Sequence, residues 1–135
     1  MNARQRINPE AILRLGLGLM YLYSGFDLIR HPTAWWWALP FWLKQIIESV
    51  VALNTYLKFQ GVAEILIAVI FLGWFLPRSI VKIGALFSSL EMAAILVLAF
   101  TPFSEANFLI TFRDIGLLGA SLALLVLLQK ENGTG

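Results

Sequence analysis

Apolar residues fill four long stretches of this chain, and short polar or proline-containing breaks separate them. The stretches cover residues 9–29, 55–76, 80–100 and 107–129. Each is close to the roughly 20 residues that an α-helix needs to cross the hydrocarbon core of a bilayer. The pattern therefore predicts an all-α integral membrane protein, in which four transmembrane helices form one transmembrane domain over residues 1–135.

The breaks carry residues that start and end helices. Asn8 is a favourable N-cap and Pro9 a favourable first helical residue, so the first helix is expected to begin there. Pro77 follows the second stretch, Ser79 is a candidate N-cap for the third, and Pro102 follows the third. Because proline disfavours a helical conformation in the residue before it, each proline marks a connection between spans.

The segment between the first two stretches, residues 33–52, has a different composition. Its first half carries four tryptophans, Trp35, Trp36, Trp37 and Trp42. Tryptophan is enriched at the membrane–water interface, where its ring is in apolar surroundings and its N–H stays hydrated. Isoleucine and valine then recur at helical spacing, which favours an additional helix lying in the interface. The alternative is a loop that packs over the mouth of the bundle.

The composition favours a membrane protein over a soluble domain. Of the 135 residues, 59% are hydrophobic and 13% charged, whereas soluble domains carry about 25% charged residues. The mean hydropathy is +0.79. The chain has no cysteine and one histidine, His31, which excludes disulfides, thiolate sites and multi-histidine metal or haem sites within one chain. We therefore expect no metal and no covalent cofactor, and the net charge of +2 gives no reason to expect a nucleic-acid partner.

Lysine and arginine residues are distributed unevenly between the two predicted faces of the membrane. Four lie on the outer side or near it: Arg30, Lys44, Lys58 and Arg113. Six lie on the side of the chain termini: Arg4, Arg6, Arg14, Arg78, Lys82 and Lys130. Because cytoplasmic connections carry an excess of basic residues, we expect a multi-pass protein of the plasma (inner) membrane with both termini in the cytoplasm.

Every predicted span contains at least one ionisable residue, and such residues are costly in a bilayer unless they are paired or hydrated. The candidate intramembrane polar site comprises Arg14, Glu64, Glu91, Arg113, Asp114 and Asp27. Helical spacing places most of them on faces that also carry small residues, which mark close contacts between membrane helices. The four faces are Arg14, Gly18, Tyr21 and Gly25; Gln60, Gly61, Glu64 and Ala68; Gly84, Ser88 and Glu91; and Arg113, Gly116 and Ala120, with Gly119 and Ala123 beside them. We therefore expect a polar bundle interior.

The depth of these residues predicts which of them pair. Glu64 and Arg113 lie about nine and about six residues from the outer ends of their spans, a mismatch of a few ångströms at ~1.5 Å per residue. We predict a Glu64–Arg113 ion pair, with Asp27 or Asp114 as a second acceptor, and Glu91 either neutral or in contact with Arg14. Whether this pair is structural or functional is left open by the sequence.

Three short motifs occur in an order similar to that found in a known family of membrane proteins. They are Arg14 with Gly18 and Gly25; Gly61 and Glu64 followed by Gly73; and Phe112-Arg113-Asp114-Ile115-Gly116-Leu117-Leu118-Gly119. Over residues 12–128 the chain resembles the DoxX family of small four-helix membrane proteins and the related DoxD-like subunits. The resemblance implies the same fold. It also implies a role like that of family members, which include subunits of thiosulfate:quinone oxidoreductase, partners of enzymes of sulfur or oxidative-stress metabolism, and chaperones or cargo receptors.

Three functions are compatible with these features. The first is an accessory or anchoring subunit of a larger membrane assembly, because the sequence shows no self-contained catalytic constellation. It would partner other membrane subunits or further copies of itself. The second is a component of a quinone-linked redox complex, with quinone as the cofactor and Tyr21, Trp35 and Trp42 as candidate lining residues. The third is transport of a small molecule or proton along the polar interior.

Overall fold

The computed structural model describes residues 8–99, 101 and 108–130, and in these residues the chain is all-α, as predicted. The elements in chain order are α1 Pro9–Arg30, a 3₁₀ helix Pro32–Ala38, α2 Phe41–Glu48, α3 Leu53–Leu72, α4 Arg78–Ala99 and α5 Phe108–Lys130. The predictions for Arg4, Arg6, Pro102 and Asn107, the first residue of the fourth predicted span, concern residues outside the described ranges.

Helix α1 begins where its sequence predicts. The Asn8 side chain accepts a hydrogen bond of 3.0 Å from the Glu10 N–H, and Pro9 is the first helical residue. At the other end the His31 N–H donates to the Asp27 carbonyl, and Pro32 follows directly. This proline opens the 3₁₀ helix and turns the chain away from the α1 axis.

The connection between α3 and α4 differs from the sequence expectation. The second apolar stretch was expected to continue to residue 76, but α3 ends at Leu72. Gly73 closes the helix in a tight turn, and a Cβ on it would lie 2.8 Å from the Val69 carbonyl oxygen. Helix α4 then begins at Arg78, and the Pro77 carbonyl accepts from the Ile80 N–H at 3.0 Å. Ser79 therefore lies in the first turn of α4 and is not its cap.

Three of the described helices are long and apolar enough to cross a membrane: Pro9–Arg30, Leu53–Leu72 and Arg78–Leu98. The predicted fourth span, α5, is not among them. The structure thus supports a membrane-embedded protein through three helices rather than four.

The outer surface of the three apolar helices carries large hydrophobic side chains. The exposed fractions of Leu19 on α1, Leu66 on α3 and Leu90 on α4 are 58%, 61% and 59%. A soluble protein rarely exposes contiguous apolar surface of this extent, whereas a bilayer covers it without cost. Four polar side chains of these helices are buried instead: Arg14, Glu64, Ser88 and Ser89.

Helices α1 and α3 run antiparallel and make the closest contact in the bundle. Gly25 on α1 faces Gly61 on α3, and Gly18 faces the Leu72 side chain at the other end of the contact. Small residues permit this approach of two helix backbones. Helix α4 packs against α3 and α5, and α5 also contacts α1, so the four long helices enclose a common interior.

Two hydrophobic clusters divide this interior along its length. The larger one fills the half nearer the start of α1 and the end of α5 and contains Phe71, Val81, Leu124 and Leu128, each no more than 1% exposed. The smaller one lies at the opposite end, which we call the tryptophan end, and contains Leu28, Ile47, Leu53 and Leu57. Trp35, Leu39 and Leu43 pack against the smaller cluster, so the 3₁₀ helix and α2 cover that end of the bundle.

Candidate functional site

Between the two clusters the bundle holds a partly open cavity of about 590 Å³. All five α-helices and the 3₁₀ helix contribute to its wall. The residues that line it nearest the tryptophan end are mostly aromatic or aliphatic: Trp35, Trp37, Leu39, Phe41, Leu43 and Tyr56. Small-molecule sites are typically apolar cavities of ~300–1,000 Å³ with a few convergent polar groups, and this cavity has that character.

Two carboxyl groups form the floor of the cavity at mid-bundle, together with Ser24 and Gln60. Glu64 is only 7% exposed, and its Oε2 accepts a hydrogen bond from the Ser24 hydroxyl. Glu91 accepts through Oε1 from the Gln60 side-chain amide. The Gln60 side chain lies between the two carboxyl groups and interacts with both. The floor is therefore a connected group of four polar side chains inside an apolar bundle.

One atom of this floor stands apart from the others. Glu91 Oε2 is buried and has no hydrogen-bond partner among the described residues. A buried polar atom without a partner loses its hydration and gains nothing in return, so native proteins contain few of them. Glu91 lines the cavity, but this oxygen has essentially no accessible surface and lies within the packed bundle.

Arg113 and Asp114 line the same cavity from α5. The Arg113 guanidinium donates to Asp114 Oδ1 from Nε at 3.3 Å and from Nη2 at 3.2 Å. The predicted Glu64–Arg113 ion pair is therefore wrong, because Arg113 pairs with its chain neighbour and Glu64 with Ser24. One contact of that prediction is present: Asp114 accepts hydrogen bonds from Arg113.

A chain of three hydroxyl groups lies behind the floor. The Tyr21 hydroxyl is 2.8 Å from Ser88 Oγ, which is 2.7 Å from Ser121 Oγ, so the chain joins α1, α4 and α5. All three side chains are fully buried, and Tyr21 also lies beside Glu91. Tyr21 was expected to line a quinone site. Instead it supports the floor from behind, outside the cavity lining.

The tryptophan indoles attach the covering segment to the rest of the bundle. Trp35 Nε1 donates to Asp27 Oδ2 at 2.8 Å, and Trp42 Nε1 donates to the Thr101 carbonyl at 2.7 Å. Trp35 and Trp37 stack with ring centroids 6.1 Å apart. Trp35 lines the cavity, whereas Trp42 does not and instead connects α2 to Thr101, just after α4.

Two of the six predicted polar-site residues lie away from the cavity. Asp27 is near the tryptophan end, where it accepts from Trp35 and lies 3.0 Å from His31 Nδ1. Arg14 is near the opposite end and does not meet Glu91. Its Nε donates to the Phe71 carbonyl at 2.9 Å and its Nη2 to the Gly73 carbonyl at 3.0 Å. Arg14 thus caps the C-terminus of α3, and its guanidinium lies 4.4 Å from the Trp74 ring centre.

Helix α5 turns a different face inward from the one predicted. Arg113, Gly116, Gly119 and Ala123 are exposed, and no atom lies within 4 Å of a Cβ built on either glycine. Over residues 113–130, where burial is described, the buried residues are instead Asp114, Ser121, Leu124 and Leu128. Their spacing forms a second stripe on the helix, rotated from the small-residue stripe, and Ser121 finds its partner Ser88 inside the bundle.

Ser24 is the floor residue that sequence reasoning missed. It carries no charge and follows Tyr21 by three residues, so it lies on the same side of α1 as the predicted inward face. The helical spacing puts Gln60 on the polar face of α3 but predicts no partner for it. The signal for both was available in the helical spacing, since each lies within one turn of a residue already assigned to the interior.

A scan against protein-family models, a search of curated proteins and a search of solved structures found no match to this chain.

Proposed function

We propose that this chain is an accessory subunit of a larger membrane assembly and that its cavity binds a lipid-soluble ring compound of the quinone class. The observation that carries the proposal is the cavity of about 590 Å³, which has aromatic walls at one end and the Glu64–Gln60–Glu91 group at the other. An aromatic wall stacks against a planar ring. The floor then hydrogen-bonds a polar substituent of that ring.

The membrane placement is part of the proposal. Helix α5 would complete a four-span bundle, since its Asp114 and Ser121 are directed inward and its length of 23 residues is sufficient. The tryptophan segment would lie at the outer interface of the inner (plasma) membrane. The excess of basic residues near Arg14, Arg78 and Lys130 favours a cytoplasmic location for both termini.

The accessory role is inferred from the residue types of the sequence. The chain has no cysteine and one histidine, so it lacks residues that bind iron–sulfur clusters or bis-histidine haem. A bound quinone would exchange electrons with a partner protein. This arrangement agrees with what the resemblance to the DoxX family implies, a membrane subunit that works beside a redox enzyme.

Transport through the bundle has less support than ligand binding. Below the hydroxyl chain the interior is filled by Phe71, Val81, Leu124 and Leu128, all essentially without exposed surface. These side chains separate the cavity from the end of the bundle where α1 begins and α5 ends. A path for a polar solute would require this packed cluster to open, whereas a one-sided binding site needs no such change.

The experiment is gentle extraction of the full chain from its native membrane, followed by mass spectrometry of the intact assembly and its small molecules. We expect stoichiometric partner subunits together with one ring-bearing lipid-soluble molecule. Recovery of the partners without such a molecule would refute ligand binding and leave the accessory role. Recovery of the chain alone and without a ligand would contradict both parts of the proposal.

A further inference from the structure

A second, open groove lies at the end of the bundle where α1 begins and α5 ends, which we call the basic end. The groove has a volume of about 440 Å³ and lies between the start of α4 and the last turns of α5. It is lined by Arg78, Ser79, Lys82 and Ile83 of α4 and by Leu128 of α5. Leu128 is 1% exposed, so the base of the groove is apolar, while α4 supplies two cations and a hydroxyl group.

Positive charge exceeds negative charge at the basic end. Within the described ranges it holds one acidic residue, Glu10, and four basic residues: Arg14, Arg78, Lys82 and Lys130. Glu10 binds two of the four, Arg78 through Nη2 at 2.7 Å and Arg14 through Nη1 at 3.4 Å. Lys82 makes no ion pair or hydrogen bond with any described residue. The groove therefore carries an ammonium group that no described carboxylate neutralises.

The position of the groove along the bundle matches the level of lipid headgroups. Arg78 is the first residue of an apolar helix that is long enough to cross a membrane. Trp74, just before it, is 54% exposed, and tryptophan is enriched at the membrane–water interface. Lys82 lies one turn further into α4, about 6 Å at ~1.5 Å per residue. A lysine side chain at that depth extends its ammonium group back to the interface.

The surface of α4 that continues from the groove is apolar. Ile83, Leu86 and Leu90 are 52%, 46% and 59% exposed. Leu86 follows Lys82 by four residues and Leu90 follows Leu86 by four, so they lie on one side of the helix, below the ammonium group. This arrangement has the shape and polarity of a phospholipid, because a cation lies at the headgroup level and an apolar track extends towards the bilayer centre.

We propose that the groove binds one anionic phospholipid, with its phosphate at Lys82 and Ser79 and an acyl chain along Leu86 and Leu90. This site lies outside the cavity and goes beyond the proposed function. The lysine ammonium and the serine hydroxyl can both donate hydrogen bonds to phosphate oxygens. Basic pockets between membrane helices are typical sites for anionic headgroups. A zwitterionic lipid is less favourable, because its own ammonium group would lie among the cations of the basic end.

The test uses the full chain, purified in an uncharged detergent and stripped of lipid. It is titrated with phosphatidylglycerol or with phosphatidylcholine of the same acyl chains, and bound lipid is counted by native mass spectrometry. We expect the first phosphatidylglycerol to bind roughly tenfold tighter than phosphatidylcholine. Equal affinities would overturn the proposal. Glycerophosphoglycerol, the same headgroup without acyl chains, should not compete at equal concentration. Competition by it would show a site for a free phosphate ester and would also overturn the proposal.

The variant Lys82→Gln tests the site at the residue. It removes the ammonium group and breaks no contact between described residues, so we expect a folded protein whose preference for phosphatidylglycerol is largely lost. Lys82→Arg keeps the charge and should keep the preference. Lys58→Gln is the matched control, because Lys58 is exposed near the start of α3, at the tryptophan end. An unchanged preference in Lys82→Gln, or an equal loss in Lys58→Gln, would overturn the proposal, since lipid charge would then act on the protein as a whole.

Discussion

Gly25 and Gly61 touch backbone to backbone where α1 crosses α3. A Cβ on Gly25 would lie 2.7 Å from the Gly61 carbonyl oxygen, and a Cβ on Gly61 would lie 2.7 Å from the Gly25 carbonyl oxygen. No side chain can move to relieve such a contact, because the obstructing atom belongs to the main chain. The crossing also sets the position of Ser24 against Glu64, so it determines the geometry of the cavity floor.

We expect Gly61→Ala to destabilise the protein, because the added methyl group forces the two helices apart. Overpacking of this kind costs about 1–3 kcal/mol. The measurement is thermal unfolding of the purified protein in one detergent. Gly16→Ala is the matched control, since Gly16 lies on α1 with no atom within 4 Å of its added Cβ. A Gly61→Ala protein that melts no lower than Gly16→Ala would contradict the close crossing.

We expect Arg14→Met to destabilise the protein by about 3 kcal/mol, because it leaves the Phe71 and Gly73 carbonyls without their charged donor. Methionine fills a similar apolar volume, so the loss reports on hydrogen bonding rather than on packing. The control is Lys58→Met, which removes one positive charge from an exposed position of α3. Equal unfolding temperatures for the two variants would show that Arg14 does not hold the end of α3.

We expect a coupling of about 1 kcal/mol between Tyr21 and Ser88 in a double-mutant cycle of Tyr21→Phe and Ser88→Ala. Both substitutions remove a hydroxyl group from the same buried hydrogen bond, which is 2.8 Å long. Detergent unfolding of the two single variants and the double variant supplies the four free energies. Tyr23→Phe is the control, because Tyr23 is 74% exposed, and it should change stability little. Additive effects in the cycle would contradict the hydroxyl chain.

We expect Trp42→Phe to loosen the segment that covers the cavity, because it removes the donor to the Thr101 carbonyl and keeps an aromatic ring. Hydrogen exchange of residues 32–48 should become faster, while the rest of the bundle is unchanged. Trp74→Phe, at the opposite end of the molecule, provides the comparison. If exchange in this segment is the same in both variants, the tie between α2 and α4 is not what holds it.

Local signals in the sequence were sufficient for several elements. Asn8 and Pro9 fix the start of α1 through backbone chemistry that involves only neighbouring residues. The face of α1 that holds Arg14 and Tyr21 is buried. It could be predicted because α1 carries a single stripe that combines polar and small residues. Glu64 and Glu91 come together at one cavity for the same reason.

Helix α5 shows why the rest could not be predicted. It carries two stripes, one with Gly116 and Gly119 and one with Asp114 and Ser121, and periodicity alone does not say which turns inward. The answer depends on partners from other helices, here Ser88 for Ser121. The same holds for Arg113, whose depth matches that of Glu64 but whose direction on the helix brings it to Asp114 instead. Depth along a helix can be counted from the sequence, whereas rotation about its axis is set by tertiary packing.

The central claim, that the cavity holds a lipid-soluble ring compound, is tested most directly by filling the cavity. Ala94 lines it from α4 and is itself exposed, so Ala94→Phe adds a ring to the space with little strain on the core. Ala63→Phe, at an exposed position of α3 outside the lining, adds the same ring elsewhere. In nanodiscs titrated with a short-tailed hydroquinone, we predict saturable binding of one molecule to the unmodified chain and to Ala63→Phe, and none to Ala94→Phe. The same non-saturating uptake in all three proteins would mean that the compound only dissolves in the lipid, and would contradict the account.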